Sequence, residues 1–167
     1  MAKIIAVANQ KGGTGKTTTS TCLAGALQLM GKKVLLVDCD AQCNATDTYG
    51  AQTQDVCTLF DVMTRQGTVA EGIQHCEAGD ILPSDPAMKD LDEQLVRDMN
   101  RNVRLKAALH DVSDQYDYIV LDTPPQLGLA LVNALIAADS VIVPITADRY
   151  ALAGLSQLSQ TVADVKS

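Results

Sequence analysis

The chain has 167 residues, 47% hydrophobic and 20% charged, which is enough for one domain with a real core and is incompatible with intrinsic disorder. Its formal net charge of -7 and pI near 4.6 exclude a whole-surface attraction to nucleic acid or anionic membrane, so any such binding has to be local. The opening "MAKIIAVANQ" is too short an apolar run for a signal peptide or anchor, and no later stretch is apolar for the ~18 residues of a membrane span, so a cytoplasmic protein without a membrane association is expected.

In chain order, "KIIAVA" (Lys3 to Ala8) reads as a strand, and "NQKGGTGKTTT" (Asn9 to Thr19) follows as a glycine-rich loop. A helix over Thr17 to Met30 puts Leu23, Ala26, Leu27 and Met30 on one face and is stopped by Gly31. "KVLLVD" (Lys33 to Asp38) is the second strand. "VCTLFDVMTRQ" reads as a helix, "GDILPSD" as a short strand ended by Pro83, and Pro86 to His110 as a long polar helix or a broken pair. "YDYIVLD" (Tyr116 to Asp122) and "SVIVPIT" (Ser140 to Thr146) complete the strands. The near-continuous apolar character of these runs is the habit of a parallel sheet covered on both faces. "ALAGLSQLSQTVADVKS" carries Leu152, Leu155, Leu158, Val162 and Val165 at helical spacing. Alternating strands and helices predict a single α/β domain with a doubly wound, mostly parallel sheet and ligands at the carboxyl ends of its strands.

The glycine-rich loop carries the chemistry. Gly12, Gly13 and Gly15 let backbone N–H groups curl round phosphate, and the helix beginning near Lys16 aims its positive end at the same point. Lys16 then reaches the β and γ phosphates and Thr17 supplies a hydroxyl to Mg²⁺. The motif K-G-G-x-G-K-[ST] arises by chance in a chain of this length with a probability on the order of 10⁻⁵. The standard phosphate-loop pattern would have glycine where Gln10 stands and makes no use of Lys11.

Further along, "VLLVDCDAQCNAT" sets Asp38 at a strand end and Asp40 two residues on, pointing the same way if the strand continues. Such acids suit Mg²⁺ coordination through water and placement of an attacking water, and equally serve as helix caps. Asp122, followed by Thr123, Pro124 and Pro125, again puts an acid at a strand end, before a stiff, extended loop.

"KGGTGKTT" with "DCDAQCN" and "DTPP" resembles the ParA/Soj partition branch of the ParA/MinD superfamily of P-loop ATPases. The resemblance implies a dimer formed on ATP, with Lys11 as the signature lysine that reaches into the partner's site. It implies ATP and Mg²⁺ as ligands, held by Lys11, Gly12, Gly13, Thr14, Gly15, Lys16, Thr17 and Thr18, with Thr17, Asp38 and Asp122 on the metal. Lys11, Lys16 and Asp40 are then catalytic, Asp40 as the water-positioning acid. A centromere-binding protein and nonspecific DNA are the implied partners, and slow, partner-stimulated hydrolysis in DNA segregation the implied activity. The family writes D-x-D-P-Q-G-N where this chain has Ala41 for proline and Cys43 for glycine, which bears on the stiffness of that loop. Relative to the family, the C-terminal strands are expected to be missing. A nucleotide-binding or regulatory module without turnover, and a MinD-like positioning ATPase, are the competing readings. Against the latter, the last helix has only Lys166 as a basic residue.

The five cysteines, Cys22, Cys39, Cys43, Cys57 and Cys76, are odd in number and scattered through regular structure, so reduced thiols are expected. Without a C-x-x-C pair or a nearby histidine, Cys39 and Cys43 read as loop thiols rather than metal ligands. Arg97, Arg101 and Arg104 fall at i, i+4 and i+7 of the predicted polar helix, with Glu93 one turn before, and read as a solvated, ion-paired face.

Overall fold

The computed structural model describes residues 1–9, 15–145 and 151–167, with side chains in the last segment from Leu155 onward. Six strands form one sheet in the order β3-β4-β2-β5-β1-β6. They are β1 (Lys3–Val7), β2 (Val34–Asp38), β3 (Gln74–Cys76), β4 (Gly79–Leu82), β5 (Tyr118–Asp122) and β6 (Ser140–Ile142). All pairings are parallel except that of the β3–β4 hairpin at one edge. The helices are α1 (Lys16–Leu29), α2 (Asn44–Tyr49), α3 (Leu59–Met63), α4 (Val69–Gly72), α5 (Leu91–Gln94), α6 (Arg104–His110), α7 (Leu129–Ala137) and α8 (Ala151–Lys166).

The strands are apolar on both faces because both are covered. Leu35, Val37, Ile119 and Leu121 point into a core closed by α3, α5, α6 and α7, whereas Val34, Leu36 and Val120 alternate to the other face against Ala24 and Leu27 of α1 and Ala45 and Tyr49 of α2. A third cluster joins Leu131 and Leu135 of α7 to Leu158, Val162 and Val165 of α8, so part of the apolar face expected of the last helix is packed. Leu155 is exposed, and the Leu152 side chain lies outside the described residues.

Several local expectations need correction. The face that α1 buries runs through Lys16, Ser20 and Ala24, flanked by Leu23 and Leu27, and leaves Met30 70% exposed. The helix stops where glycine predicts: Gly31 has φ +81, its amide reaches Gln28 O at 2.9 Å, and the Lys32 amide reaches Leu27 O at 3.0 Å, a Schellman stop. Of the two alternatives for 86–110, the broken one forms, in more pieces than a pair: a 3₁₀ turn over Pro86–Asp90, the short α5, a further 3₁₀ turn over Arg101–Val103 and then α6. The arginine face therefore does not form. Arg104 instead turns onto the end of α3, donating to Met63 O at 3.2 Å and Val62 O at 3.3 Å, while Arg65 and Arg104 share Asp98 at 3.4 and 3.8 Å. A cation over the last carbonyls of a helix is the favourable arrangement.

Strand β3 has no clear signal in its sequence. It is pinned by the side chain of His75, whose Nδ1 lies 2.6 Å from Asp80 of β4, the residue opposite it in register, and Asp80 also accepts the Tyr116 hydroxyl at 2.7 Å. Among the described residues no helix is long and apolar enough to cross a membrane.

Leu36 is fully buried at the middle of the sheet. Leu36→Ala is expected to cost about 3 kcal/mol of unfolding free energy, read from the shift of the urea midpoint at unchanged slope.

Candidate functional site

Strand register places the acids. Asp38 ends β2 and Asp122 ends β5, and the two are paired neighbours; Asp122 is also in register with Val7, the last residue of β1. The alternation that sends Leu36 and Val120 toward α1 and α2 sends Asp38 and Asp122 to the same face. Three strand ends and the start of α1 thus converge.

The first turn of α1 carries the phosphate-facing groups. Gly15 caps it in the left-handed region, φ +80, a conformation that costs a residue with a Cβ ~1–2 kcal/mol more. The cap supplies no side-chain acceptor, so the positive end of a 14-residue helix faces the cavity. Lys16 is only 8% exposed, and burial pulls its ammonium down from the ordinary lysine range while Asp122 and Asp40 oppose the shift. The Thr17 hydroxyl donates to Asp122 Oδ2 at 2.8 Å and the Ser20 hydroxyl to Asp122 Oδ1 at 3.0 Å, so one carboxylate fixes two turns of the helix. Burial pushes the Asp122 carboxyl up, against those two hydrogen bonds.

Asp38 faces inward rather than into the cavity. It is fully buried, its Oδ2 accepts the Thr46 amide and hydroxyl at 2.9 and 2.7 Å, and its Oδ1 accepts the Asp40 amide at 3.1 Å. The Thr46 hydroxyl in turn accepts the Ser84 amide at 3.0 Å. Asp38 therefore braces the turn between β2 and α2. The strand stops at Asp38, so Asp40 does not continue its alternation. Asp40 instead sits half-buried in the cavity wall, its Oδ1 accepting the Gln42 amide at 3.0 Å.

Cys43 has φ +59 and caps α2, which gives a physical meaning to the glycine of the family pattern at this position. A left-handed non-glycine residue there carries ~1–2 kcal/mol of strain. Cys39 and Cys43 are buried, and burial raises both thiols, Cys43 to about 11, which suits neutral packing groups. Among the described residues no group of three or more His, Cys, Asp or Glu side chains is placed to hold a metal.

The cavity has a volume of about 640 Å³ and runs from Gly15, Lys16, Thr17 and Thr18, past Asp40, to Pro124, Pro125 and Gly128 on the far wall, with Met88, Lys89 and Asp92 at one end. Lys11, Gly12, Gly13 and Thr14 lie outside the described residues. Of the expected residues, the structure brings Gly15, Lys16, Thr17, Thr18, Asp40 and Asp122 together at one site and sets Asp38 behind them. Ser20 escaped the sequence reading although it stands one turn from Lys16, a spacing at which it was legible. Thr46 and Asp92 carry no local signal.

An open glycine-started helix, a buried lysine and two acids at the switch of an open parallel sheet define a protein of the P-loop NTPase class. A family model described as an AAA domain matches residues 2–167. The sporulation initiation inhibitor protein Soj of Bacillus subtilis is 47% identical over 166 residues, 97% of this chain, and the chromosome partitioning protein ParA of Myxococcus xanthus is 40% identical over 167 residues, 98% of it. The chain spans 65% and 59% of the lengths of these relatives. A structure of cobyrinic acid a,c-diamide synthase from Mycobacterium smegmatis with bound ADP and magnesium superposes with a TM-score of 0.94 at 33% identity, covering 99% of this chain and 69% of that one. A plasmid partition protein from Borrelia burgdorferi bound to AMPPNP gives 0.88 at 29% identity, covering 99% and 72%. The chain belongs to this AAA-domain family, as a ParA/Soj-type member.

The buried acids predict a pH dependence. Burial pushes the Asp38 carboxyl up to about 7, so between roughly pH 4 and 7 the folded protein holds a proton that the unfolded chain has released. The stability contributed by the neutral carboxyl is full below about pH 4 and is lost as pH rises through about 7. With chelator and no nucleotide, the melting temperature is expected to fall between pH 5 and 7.5, and Asp38→Asn to flatten that slope, as read by thermal unfolding at each pH.

Proposed function

We propose that this chain binds Mg-ATP and hydrolyses it slowly, as a dimer formed on ATP, in the segregation of plasmid or chromosomal DNA. The observation that carries the reading is the first turn of α1: Lys16 buried at the helix start, with Thr17 beside it hydrogen-bonded to the buried Asp122 and lining a cavity whose wall also holds Asp40. The bound ADP and magnesium of the synthase structure and the AMPPNP of the partition protein structure support it.

The donor set fits the metal. Mg²⁺ takes oxygen ligands, usually one or two from protein with phosphates and waters completing the shell. The Thr17 hydroxyl and the Asp122 carboxylate, 2.8 Å apart, offer that small set. Mg²⁺ supplies neutralisation of charge on the phosphates when bound. Asp38, bonded to Thr46 and to the Asp40 amide, keeps the loop that carries Asp40 in place.

The remaining roles belong to side chains. Lys16 and the open amides of α1 hold the phosphates and compensate their charge. Asp40 orients the attacking water from the opposite wall. Lys11 stabilises the charge that develops in the partner's site, as an arginine finger does, so turnover requires two protomers. A centromere-binding protein and nonspecific DNA are the partners, and the chain works in the cytoplasm.

ATP turnover, measured at several protein concentrations with and without nonspecific DNA, tests the whole reading. Hydrolysis that rises more than in proportion to protein and is stimulated by DNA supports it, and tight ATP binding with no turnover under any condition replaces it with a binding module. Lys16→Ala is expected to abolish nucleotide binding in isothermal titration. Asp40→Ala is expected to retain binding and lose about 10²-fold in turnover. For Lys11→Ala, sedimentation with ATP is expected to show a monomer with intact single-site binding; a normal dimer with normal turnover removes Lys11 from the mechanism.

A further inference from the structure

The loop that leaves β5 is anchored at both ends. At its start the Thr123 hydroxyl donates to Val7 O at 2.8 Å, fastening it to the strand that leads into the phosphate loop. At its end the amide of Leu129, the first residue of α7, lies 3.2 Å from both Oδ1 and Oδ2 of Asp92. The N-cap of α7 is Gly128, which offers no side-chain acceptor, so a carboxylate 37 residues away in sequence does the capping. A Cβ added to Gly128 would lie 3.3 Å from both Asp92 oxygens and would press the carboxylate back by a few tenths of an ångström. Among the described residues Asp92, an exposed side chain, takes part in no ion pair, and its carboxylate sits at the positive end of the nine-residue α7. Between the two anchors, Pro124, Pro125 and Gln126 form the cavity wall opposite the first turn of α1.

We infer that Asp92 is a positioning residue for turnover, which caps α7 from outside and thereby fixes where the loop 124–128 stands over the end of the bound phosphate chain. The inference rests on the nucleotide-hydrolysis reading above. Two consecutive prolines restrict the loop, so a displacement at Gly128 is passed along the backbone to the cavity wall and not absorbed in it. Lys16, Thr17 and Thr18 line the cavity from the start of α1, which Asp122 holds through Thr17 and Ser20 instead. Loss of the Asp92 carboxylate therefore falls on the chemical step and spares ground-state binding.

The test compares Asp92→Ala and Asp92→Asn with the unaltered full chain, by amide hydrogen exchange without nucleotide, ATP titration and turnover. For Asp92→Ala, exchange of the Leu129–Val132 amides is expected to accelerate and turnover to drop about tenfold, with the ATP Kd within about threefold of normal. Asp92→Asn keeps a carbonyl acceptor and is expected to restore most of both, because asparagine caps about as well as aspartate. Unchanged exchange and turnover in Asp92→Ala overturn the inference, as does a turnover loss matched by an equal loss of ATP affinity. If the unaltered chain binds ATP without hydrolysing it, the hydrolysis reading fails and the turnover role of Asp92 with it, while faster exchange in Asp92→Ala still establishes the cap.

Discussion

The carboxylate of Asp122 is the joint on which the site depends. It stands at the end of the central strand β5, takes the Thr17 hydroxyl on one oxygen and the Ser20 hydroxyl on the other, and so fastens the start of α1 to the middle of the sheet. An unpaired carboxylate at that depth would be costly. Satisfied by two hydroxyls beside a buried lysine, it becomes a rigid mount for the phosphate-facing turn.

Behind that mount a second network sets the switch loop. Asp38 collects three donors and passes its hold through Thr46 to Ser84, just past the end of β4, so the loop carrying Asp40 is referenced to two strands at once. This arrangement makes sense of a loop that tolerates Cys43 in a glycine conformation: the strain is local and the surrounding hydrogen bonds over-determine the path. Catalytic geometry in such a site is a property of the framework as much as of the groups that touch phosphate.

Much of this was legible beforehand because the relevant signals are short-range. Glycines before a helix, a lysine at its start and acids after apolar runs are each set by a few neighbouring residues, and Asp122 and Lys16 fall where those patterns put them. What escaped depends on partners far along the chain. Asp38 looked like a cavity acid because nothing near it announces Thr46 as its partner, and the arginines of 97–104 looked like one helical face although Asp98 accepts the Asn100 amide at 2.8 Å, a local turn that interrupts the helix. The break serves tertiary contacts: the Asn133 side chain of α7 accepts the Leu105 amide at 3.1 Å and donates to Arg101 O at 2.8 Å, and Arg104 turns onto α3. Propensity gives way to such contacts in this middle region, where periodicity is weakest.

Helix α7 has a consequence for communication across the molecule. Asp92 sits on the amide of its first residue, and Lys166 of α8 donates to the Ala138 carbonyl just past its last, at 3.0 Å. Opposite charges thus pin both poles of one dipole, and neither end has a reason to fray. The proline loop at one pole and α8 at the other are thus joined by one helix about 14 Å long at 1.5 Å per residue.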